Sequence, residues 1–249
     1  MAGLLTTLPR SIHAGGIAHP MAGVPKIKAI AFDAFPIFDP SSIMTLAEQV
    51  VPGKGNALVA EWRTRQLEYC WLRALSRRYV DFWRVTQDAL GVAANAVQVD
   101  LTADQQTQLM NAYLQLSPWS DVIPTLAGLQ KLGVRLAILS NLTSQMLDAN
   151  LKHARLDGVF EHVISTDRAK TYKPDVRAYQ LAVDAFQLRK EEILFVAFAG
   201  WDAAGAKSFG FPTFWANRTN APSEALGVEA DGAADSLSPL PQFAAAIGS

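Results

Sequence analysis

The stretch Ile27-Lys28-Ala29-Ile30-Ala31-Phe32-Asp33-Ala34-Phe35 is an apolar run that ends in an acid. Apart from Lys28 the run is continuously apolar, which is typical of a strand buried on both faces of a parallel sheet. Asp33 would then lie at the carboxyl edge of that sheet, where a nucleophile is well placed. Two positions later stands Phe35, where a phosphoryl-transfer enzyme with this pattern would be expected to carry a second acid. We therefore interpret Asp33 as a carboxylate that attacks carbon rather than phosphorus.

The composition is that of an ordinary globular protein with a sizeable core. The chain has 249 residues, 50% of them hydrophobic, and a formal net charge of −1. This length suffices for one large domain or for a core with an inserted subdomain. The sequence contains no basic stripe, so it gives no reason to expect a nucleic-acid partner. No apolar run is long enough to span a membrane. Cys70 is the one cysteine, so no internal disulfide is expected, and it is predicted to be a small buried residue.

Residues 1–25 are open to two interpretations. Residues 1–8 are short and apolar, and residues 11–14 end in a small residue, as the remains of an export signal would. No basic region precedes them, so a disordered leader or a cloning remnant fits equally well. We expect a cytoplasmic protein, or a periplasmic one if the segment is the remnant of an export signal.

Helical patterns follow one another through residues 41–120. Ser41 can cap a first helix, and residues 57–75 and 79–90 read as two more. Thr102 with Gln105 three residues later is the capping pattern of a further helix. We expect this block to form a helical cap, inserted over the carboxyl edge of the sheet.

Strands and helices alternate from Asp121 onward, which predicts a parallel sheet with helices on both faces. The later strands are predicted at residues 134–139, 159–164, 193–198 and 213–216. The chain is thus expected to be an α/β protein with a doubly wound core. The predicted segments are a leader at 1–25, a core at 26–40 and 121–219, a cap at 41–120, and a loosely ordered tail at 220–249.

Polar residues follow the ends of four predicted strands, and a parallel topology brings those ends together. They are Asp33, Ser140 with Asn141, Lys173, and Asp202. Each of the last three has a simpler explanation: a helix cap for Ser140-Asn141 and for Asp202, and a solvated loop position for Lys173. Asp33 is harder to explain in that way, because an acid ending an apolar strand is costly unless it is paired. Lys173 is the predicted partner, and the convergence favours a functional site.

Four segments, taken in order, resemble the haloacid dehalogenase superfamily. They are Phe32-Asp33, Leu139-Ser140-Asn141, Tyr172-Lys173-Pro174 and Trp201-Asp202-Ala203-Ala204-Gly205-Ala206. More narrowly, the chain resembles the type II (S)-2-haloacid dehalogenases, with supporting stretches at residues 62–69, 172–179 and 209–213. The likeness spans about residues 27–218. It implies a Rossmann-like core with a helical cap, in agreement with the pattern of strands and helices.

The resemblance also implies a reaction, the hydrolytic removal of halide from small 2-haloacids such as haloacetates and (S)-2-haloalkanoates. The configuration at C2 inverts, and no metal or organic cofactor takes part. Carried over by position, Asp33 displaces the halide and forms an aspartyl ester, which water hydrolyses to the 2-hydroxy acid. Lys173 would hold the Asp33 carboxylate, and Arg63 would meet the substrate carboxylate or the departing halide.

The remaining roles that the resemblance implies concern binding and support. Ser140 and Asn141 would bind the substrate carboxylate or the halide. Tyr179 and Asp202 would support the site, with Asp202 placed to orient Lys173 or the hydrolytic water. An apolar pocket wall is implied for Phe35, Leu67, Phe82 and Trp201.

Two stretches depart from the family pattern. After the nucleophile the family has an aromatic residue followed by Gly-Thr-Leu, whereas residues 35–39 are one residue shorter and contain neither Gly nor Thr. Ala197 and Ala199 stand where the family has Ser and Asn. These losses imply a rearranged subgroup, an enzyme with altered water positioning, or an inactive relative. Phe35 and Phe198 are expected to narrow the pocket toward small acids such as haloacetates.

Two other functions stay open at this point. A metal-dependent phosphatase of the same superfamily would need an acid at the position of Phe35 and a further acid near Ala206 to hold Mg²⁺. A catalytically impaired relative that only binds small acids would have little reason to retain the Asp33 and Lys173 pair. The sequence does not rank the halogens, and the aromatic-rich cap helices are compatible with a homodimer.

Overall fold

The structure is a computed structural model that describes residues 26–247. Six strands within these residues form one sheet, and each strand is parallel to its neighbours. In chain order they are β1 (Ala29–Phe32), β2 (Arg135–Ser140), β3 (His162–Ser165), β4 (Ile193–Ala197), β5 (Thr213–Ala216) and β6 (Gly232–Ala234). Their order across the sheet is β3-β2-β1-β4-β5-β6. The chain order reverses between β1 and β4, which is the switch point where doubly wound folds bind ligands.

Strand β1 occupies the centre of the sheet, and its four residues are buried. Ile30 and Phe32 face one apolar cluster, while Ala29 and Ala31 face another on the opposite side. This alternation explains why the run is continuously apolar, because both faces of the strand are covered. The predicted α/β fold with a doubly wound parallel core is confirmed, and Asp33 leaves the sheet at its switch point.

Nine α-helices lie within the described residues, and they form the helical block after β1 and the helices that pack on the sheet. They are α1 (Ser41–Val50), α2 (Gly55–Leu75), α3 (Phe82–Ala96), α4 (Ala103–Ala112), α5 (Val122–Lys131), α6 (Ser144–His153), α7 (Val176–Phe186), α8 (Gly200–Phe209) and α9 (Leu240–Ala246). Helices α1 to α4 follow β1 as the predicted helical block. The long helix α2 buries Trp62, Gln66 and Cys70 at a spacing of four residues, so one stripe of it faces the interior.

The two connections between the helical block and the sheet run side by side. Phe38 and Pro118 form an antiparallel bridge, and the Asp39 N–H donates to the Ser117 carbonyl at 2.8 Å. The Trp119 N–H donates to the Ile37 carbonyl at 3.1 Å. This pairing supports the predicted domain limits of the cap at residues 41–120, which stay a prediction.

The expectation of a loosely ordered tail is wrong for much of residues 220–247. Strand β6 pairs with β5 and covers the edge of the sheet, and helix α9 packs close to α5. Leu237, Leu240 and Ala244 are buried, and the ring of Phe243 lies 5.2 Å from that of Phe214. A small number of well-spaced apolar residues therefore orders a segment whose overall composition suggested otherwise.

Three further expectations concern the leader, a membrane-spanning helix and the cysteine Cys70. The leader at residues 1–25 lies outside the described residues. Between residues 26 and 247, no helix combines the length and the apolar character needed to span a membrane. Cys70 is buried and carries a free thiol, as predicted.

Candidate active site

The centre of the site is a lysine held between two carboxylates. Lys173 Nζ lies 2.8 Å from Asp33 Oδ1 and 2.5 Å from Asp202 Oδ2. Asp33 follows β1 and still donates its N–H to the carbonyl of Val196 at 2.9 Å, so its position is set by the sheet. The predicted pair of Asp33 and Lys173 is therefore present, and both residues are buried.

The backbone of Lys173 is fixed from two sides. Asn141 Oδ1 accepts the Lys173 N–H at 2.9 Å and the Thr166 hydroxyl at 3.2 Å. Trp71, on the cap helix α2, donates its indole N–H to the Lys173 carbonyl at 3.2 Å. Because Asn141 Oδ1 already accepts two hydrogen bonds, the amide group left to face a ligand is the NH₂, which only donates.

Asp202 is the second buried carboxylate at Lys173, and it lies in the helix that follows β4 rather than directly at the end of a strand. It lies in the first turn of α8, and its Oδ1 accepts the Tyr179 hydroxyl of α7 at 2.8 Å. The close approach of these two helices depends on Gly205, where an added Cβ would lie 2.5 Å from the Tyr179 hydroxyl oxygen. Tyr179 therefore supports Asp202 from behind and does not line the cavity.

The charges of this group shift one another. Burial raises the pKa of Asp202 to about 6, against the opposing influence of the Lys173 ammonium. Burial also works against the charge on Lys173, but the carboxylates of Asp202 and Asp33 outweigh it and raise the pKa of the ammonium. Burial raises the pKa of Tyr179 well above its ordinary value, so its hydroxyl stays a donor. A cation thus persists between two acids, one of which, Asp202, has a pKa of about 6.

A small cavity of about 50 Å³ opens onto Asp33 between the sheet edge and the cap. Ten of the eleven predicted site residues line it, all except Tyr179; they are Asp33, Phe35, Arg63, Leu67, Phe82, Ser140, Asn141, Lys173, Trp201 and Asp202. Gln66, Leu142, Phe198 and Ala199 complete the lining. The cavity therefore combines apolar walls with a few convergent polar groups, which is the usual make-up of a small-molecule site.

Arg63 is the cation that the cap contributes. Its guanidinium lies over the ring of Phe35, with 5.6 Å from Cζ to the ring centroid. Among residues 26–247, no carboxylate pairs with it. An arginine that faces a cavity without a protein anion beside it is suited to receive an anionic ligand.

Gln66 was missed by the sequence reading. It lies one turn beyond Arg63 on α2, and its Nε2 donates to the Thr86 hydroxyl at 2.7 Å. Thr86 in turn donates to the Phe82 carbonyl at 2.7 Å. Gln66 is four residues after Trp62 and three after Arg63, so the spacing places it on the same side of the helix, but it does not show that this side meets the cavity.

The strand end at β4 lacks the polar side chains of the family. Ala197 and Ala199 carry no hydrogen-bonding side chain, and Ala199 precedes α8 without a side-chain cap. The turn is instead held by the Trp215 indole, which donates to the Phe198 carbonyl at 3.0 Å. The rings of Phe198 and Phe35 lie 5.9 Å apart at the cavity wall, and the narrowing of the pocket toward small acids stays a prediction.

The donor set does not fit a magnesium site. Phe35 occupies the position of the second acid, and Ala206 is buried in α8. Lys173 Nζ already pairs with both Asp33 and Asp202, so neither carboxylate is left without a cation. Within residues 26–247, no group of three or more His, Cys, Asp or Glu side chains is arranged to hold a metal ion.

Known proteins match the chain over most of its length. The sequence profile of the haloacid dehalogenase-like hydrolases matches residues 27–210. The (S)-2-haloacid dehalogenase of Pseudomonas sp. (strain YL) is 44% identical over 212 residues, which cover 85% of this chain and 91% of that protein. The haloacetate dehalogenase H-2 of Moraxella sp. (strain B) is 39% identical over 207 residues, which cover 83% of this chain and 92% of that protein.

Solved structures show the same likeness. A crystal structure of an L-2-haloacid dehalogenase has a TM-score of 0.86 and 42% identity, covering 88% of this chain and 99% of that chain. The L-2-haloacid dehalogenase from Xanthobacter autotrophicus with chloropropionic acid covalently bound has a TM-score of 0.80 and 33% identity, covering 87% and 98%. Profile, identity and fold agree with the motifs of the site, and the chain belongs to the haloacid dehalogenase-like hydrolases.

Proposed function

We propose that this protein is a hydrolytic dehalogenase of small 2-haloacids, and that Asp33 is its nucleophile. The observation that carries the proposal is the Asp33 carboxylate, held by the buried Lys173 in a small apolar cavity that also receives the unpaired guanidinium of Arg63. The substrate and the nucleophile are both anions, so the positive charges of Lys173 and Arg63 can offset the repulsion between them. The names of the relatives in Pseudomonas and Moraxella point to the same substrates.

The first step displaces the halide. A carboxylate in water is a weak nucleophile because it is well solvated, and in the cavity Asp33 has fixed partners in place of water. A bond forms between one Asp33 oxygen and C2 while the carbon–halogen bond breaks, and the halide leaves with the bonding electrons. Arg63 and the Asn141 NH₂ lie on the cavity wall as donors for the substrate carboxylate or the departing halide.

The second step hydrolyses the aspartyl ester. Water attacks the Asp33 carbonyl carbon and loses a proton to a base. The bond between that carbon and the ester oxygen then breaks, and the oxygen takes up this proton and leaves with C2 as the hydroxyl of the 2-hydroxy acid. Asp33 releases the remaining proton of the water to solvent and is again a carboxylate. Asp202 is the base we propose, because it lines the cavity together with Asp33 and because burial raises its pKa to about 6, near the pH at which a base works best. Lys173 lies against both carboxylates and stabilises the negative charge that develops on the Asp33 carbonyl oxygen.

Substrate size follows from the walls of the cavity. Phe35, Phe198, Leu67, Phe82 and Trp201 leave about 50 Å³ beside the nucleophile. We propose that this narrowing favours small acids such as haloacetates. The structure of the Xanthobacter relative with chloropropionic acid covalently bound supports a covalent intermediate.

Halide release tests the proposal directly. The substrates are chloroacetate, bromoacetate, fluoroacetate and (S)-2-chloropropionate, and the matched control is Asp33→Asn, which keeps the shape of the side chain and removes its charge. We expect halide from the wild type and none from Asp33→Asn. No halide from any of the four would favour an impaired acid-binding relative, and Mg²⁺-dependent turnover of p-nitrophenyl phosphate would favour the phosphatase.

Two properties stay predictions beside the activity. We propose a homodimer formed through the aromatic-rich cap helices, which light scattering after gel filtration checks. We propose a cytoplasmic location, and fractionation of cells that express the full chain distinguishes it from the periplasm.

A further inference from the structure

We infer that Arg218, together with Asp121 and Trp119, positions the turn that carries the nucleophile. None of these three residues lines the cavity, and they come from two distant parts of the chain. The inference rests on the proposed dehalogenase function, because it assigns them to the placement of Asp33. We call these three residues the carbonyl clamp, since they hold two backbone carbonyls of the turn.

The turn is tight, and its own backbone N–H groups do not reach all of its carbonyls. The N–H groups of Ile37 and Phe38 both donate to the Ala34 carbonyl, at 3.1 and 2.8 Å. Pro36 has no N–H. The carbonyls of Phe35 and Pro36 have no part in this internal bonding and accept hydrogen bonds from the clamp instead. Trp119 Nε1 donates to the Phe35 carbonyl at 3.0 Å, and Arg218 Nη2 donates to the Pro36 carbonyl at 2.8 Å.

The clamp is itself rigidly built. Arg218 makes a two-point contact with Asp121 at 2.9 and 3.1 Å, and its guanidinium lies 4.6 Å over the ring of Trp119. The side chains of Arg218 and Asp121 are only 5% and 14% exposed. Asp121 also accepts the Leu237 N–H at 2.6 Å, which ties the ordered tail to the same point. A buried ion pair adds little to the free energy of unfolding by itself. The effect of this pair that concerns us is that it fixes the position of the Arg218 guanidinium.

The clamp reaches the reaction through Phe35. The Phe35 N–H donates to Asp33 Oδ2 at 3.3 Å, and the Phe35 ring lies beneath the guanidinium of Arg63. One residue thus touches the nucleophile with its backbone and the substrate-binding arginine with its side chain. Because the clamp holds the carbonyl of that residue and of the next, it sets both contacts. A turn that lacks the Gly and Thr of the family thereby keeps a defined shape.

The test compares Arg218→Gln with a control that removes the same chemistry elsewhere. Arg135 also pairs with a carboxylate, that of Glu161, lies 4.9 Å over an aromatic ring, and donates to the Phe186 carbonyl at 2.8 Å. It starts β2, at the opposite edge of the sheet from Asp33. Its side chain is more exposed, at 38%, so the Tm of every variant is measured beside its kinetics.

We expect Arg218→Gln to lower the single-turnover rate of halide release at saturating bromoacetate by at least about ten-fold, because small misplacements of reacting groups are costly. Arg135→Gln should stay within about two-fold of the wild type. Trp119→Phe keeps the ring and its contact with the guanidinium but loses the indole donor, and we expect a smaller fall than for Arg218→Gln. Crystal structures should show the turn at residues 33–38 displaced in Arg218→Gln and unchanged in Arg135→Gln.

Two results would overturn the inference. One is wild-type halide release with an unmoved turn in Arg218→Gln and Trp119→Phe. The other is an equal loss of rate in Arg135→Gln, which would tie the effect to stability alone. If the wild type releases no halide, the proposed function fails, and the displacement of the turn in the crystal structures then decides the inference separately.

Discussion

Replacing Lys173 with methionine would remove the cation between Asp33 and Asp202. Methionine keeps a long unbranched side chain, so the volume and the contact with the Phe195 ring are largely retained. What is lost is an ammonium at 2.8 and 2.5 Å from two buried carboxylates. If both carboxylates stayed ionised, the net charge of this buried group would change from −1 to −2.

The size of the effect follows from this geometry. Removing one partner of a buried ion pair costs roughly 3–5 kcal/mol of unfolding free energy, because a charge is left buried without compensation. In Lys173→Met one carboxylate escapes this cost by binding a proton, so its pKa rises above that of an unfolded aspartate. A carboxyl group whose pKa is raised by folding gives stability at low pH that is lost as the pH rises through the folded pKa.

The pH window separates the variant from the wild type. In the wild type this loss ends near pH 6, since the pKa of Asp202 is about 6. In Lys173→Met it continues above pH 6, so the stability deficit should grow by up to ~1.4 kcal/mol per pH unit until both carboxylates are ionised. Activity should fall by about 100-fold or more, the usual loss when one buried electrostatic partner of a reaction is removed.

Urea unfolding at pH 5, 6, 7 and 8 measures the deficit, and halide release at the same pH values measures the activity. Lys190→Met is the control, because Lys190 Nζ lies 5.5 Å from the Phe209 ring at an exposed position and forms no ion pair among residues 26–247. A stability deficit of equal size at pH 5 and pH 8 would refute the reasoning. So would activity within ten-fold of the wild type in Lys173→Met.

Three further predictions concern the separate steps. Arg63→Lys keeps the charge but loses the planar fork, so kcat/KM for chloroacetate should fall at least ten-fold, or ~1.4 kcal/mol; a near wild-type value would show that another group holds the anion. Tyr179→Phe removes a hydrogen bond that lowers the pKa of Asp202, so this pKa should rise and the acid limb of the profile of kcat against pH should move to higher pH. An acid limb at the wild-type pH would exclude Asp202 as the base. Ester hydrolysis should be slow because Ala199 and Ala197 offer no side-chain hydrogen bonds to water, each worth ~0.5–1.5 kcal/mol. Rapid mixing should therefore show a burst of halide, and Ala199→Asn should make the burst smaller. A linear trace would place the slow step at displacement.

The centre of the site could be predicted because strand ends converge whatever the details of the fold. Asp33 follows β1, Ser140 ends β2 and Asp202 follows β4, and these three strands are neighbours in the sheet. The apolar run before Asp33 was enough to place it at the centre. Lys173 could be paired with it on charge alone, since a buried acid needs a cation.

The cap residues could not be derived in that way. Helical periodicity shows that Trp62, Gln66 and Cys70 share a face, but it does not show which surface that face meets. Arg63 was assigned by resemblance to a family, and Gln66 was not assigned although it lies beside Arg63 on the cavity wall. The position of a cap over a sheet depends on contacts between distant elements, which a local pattern does not contain.

The tail was misread for a related reason. Its composition is rich in small residues, and an average over residues 220–249 hides Leu237, Leu240 and Ala244, which are the ones that pack. The bond between Arg218 and Asp121 joins residues 97 positions apart. No spacing rule connects them, so the clamp is visible only in three dimensions.

The departures from the family pattern fall unevenly on the two chemical steps. In the proposed mechanism, displacement of halide needs a placed carboxylate and cations, which we assign to Asp33, Lys173 and Arg63, and the apolar walls of the cavity. The lost hydroxyl beside the nucleophile is offset by backbone, because the Phe35 N–H contacts Asp33 and the clamp holds that residue in place. No comparable backbone device replaces the side chains missing at Ala197 and Ala199 within the described residues, where the turn bonds to Trp215 instead. The second step therefore depends on Asp202 and Lys173 for the orientation of water, which is why we expect ester hydrolysis to set the rate.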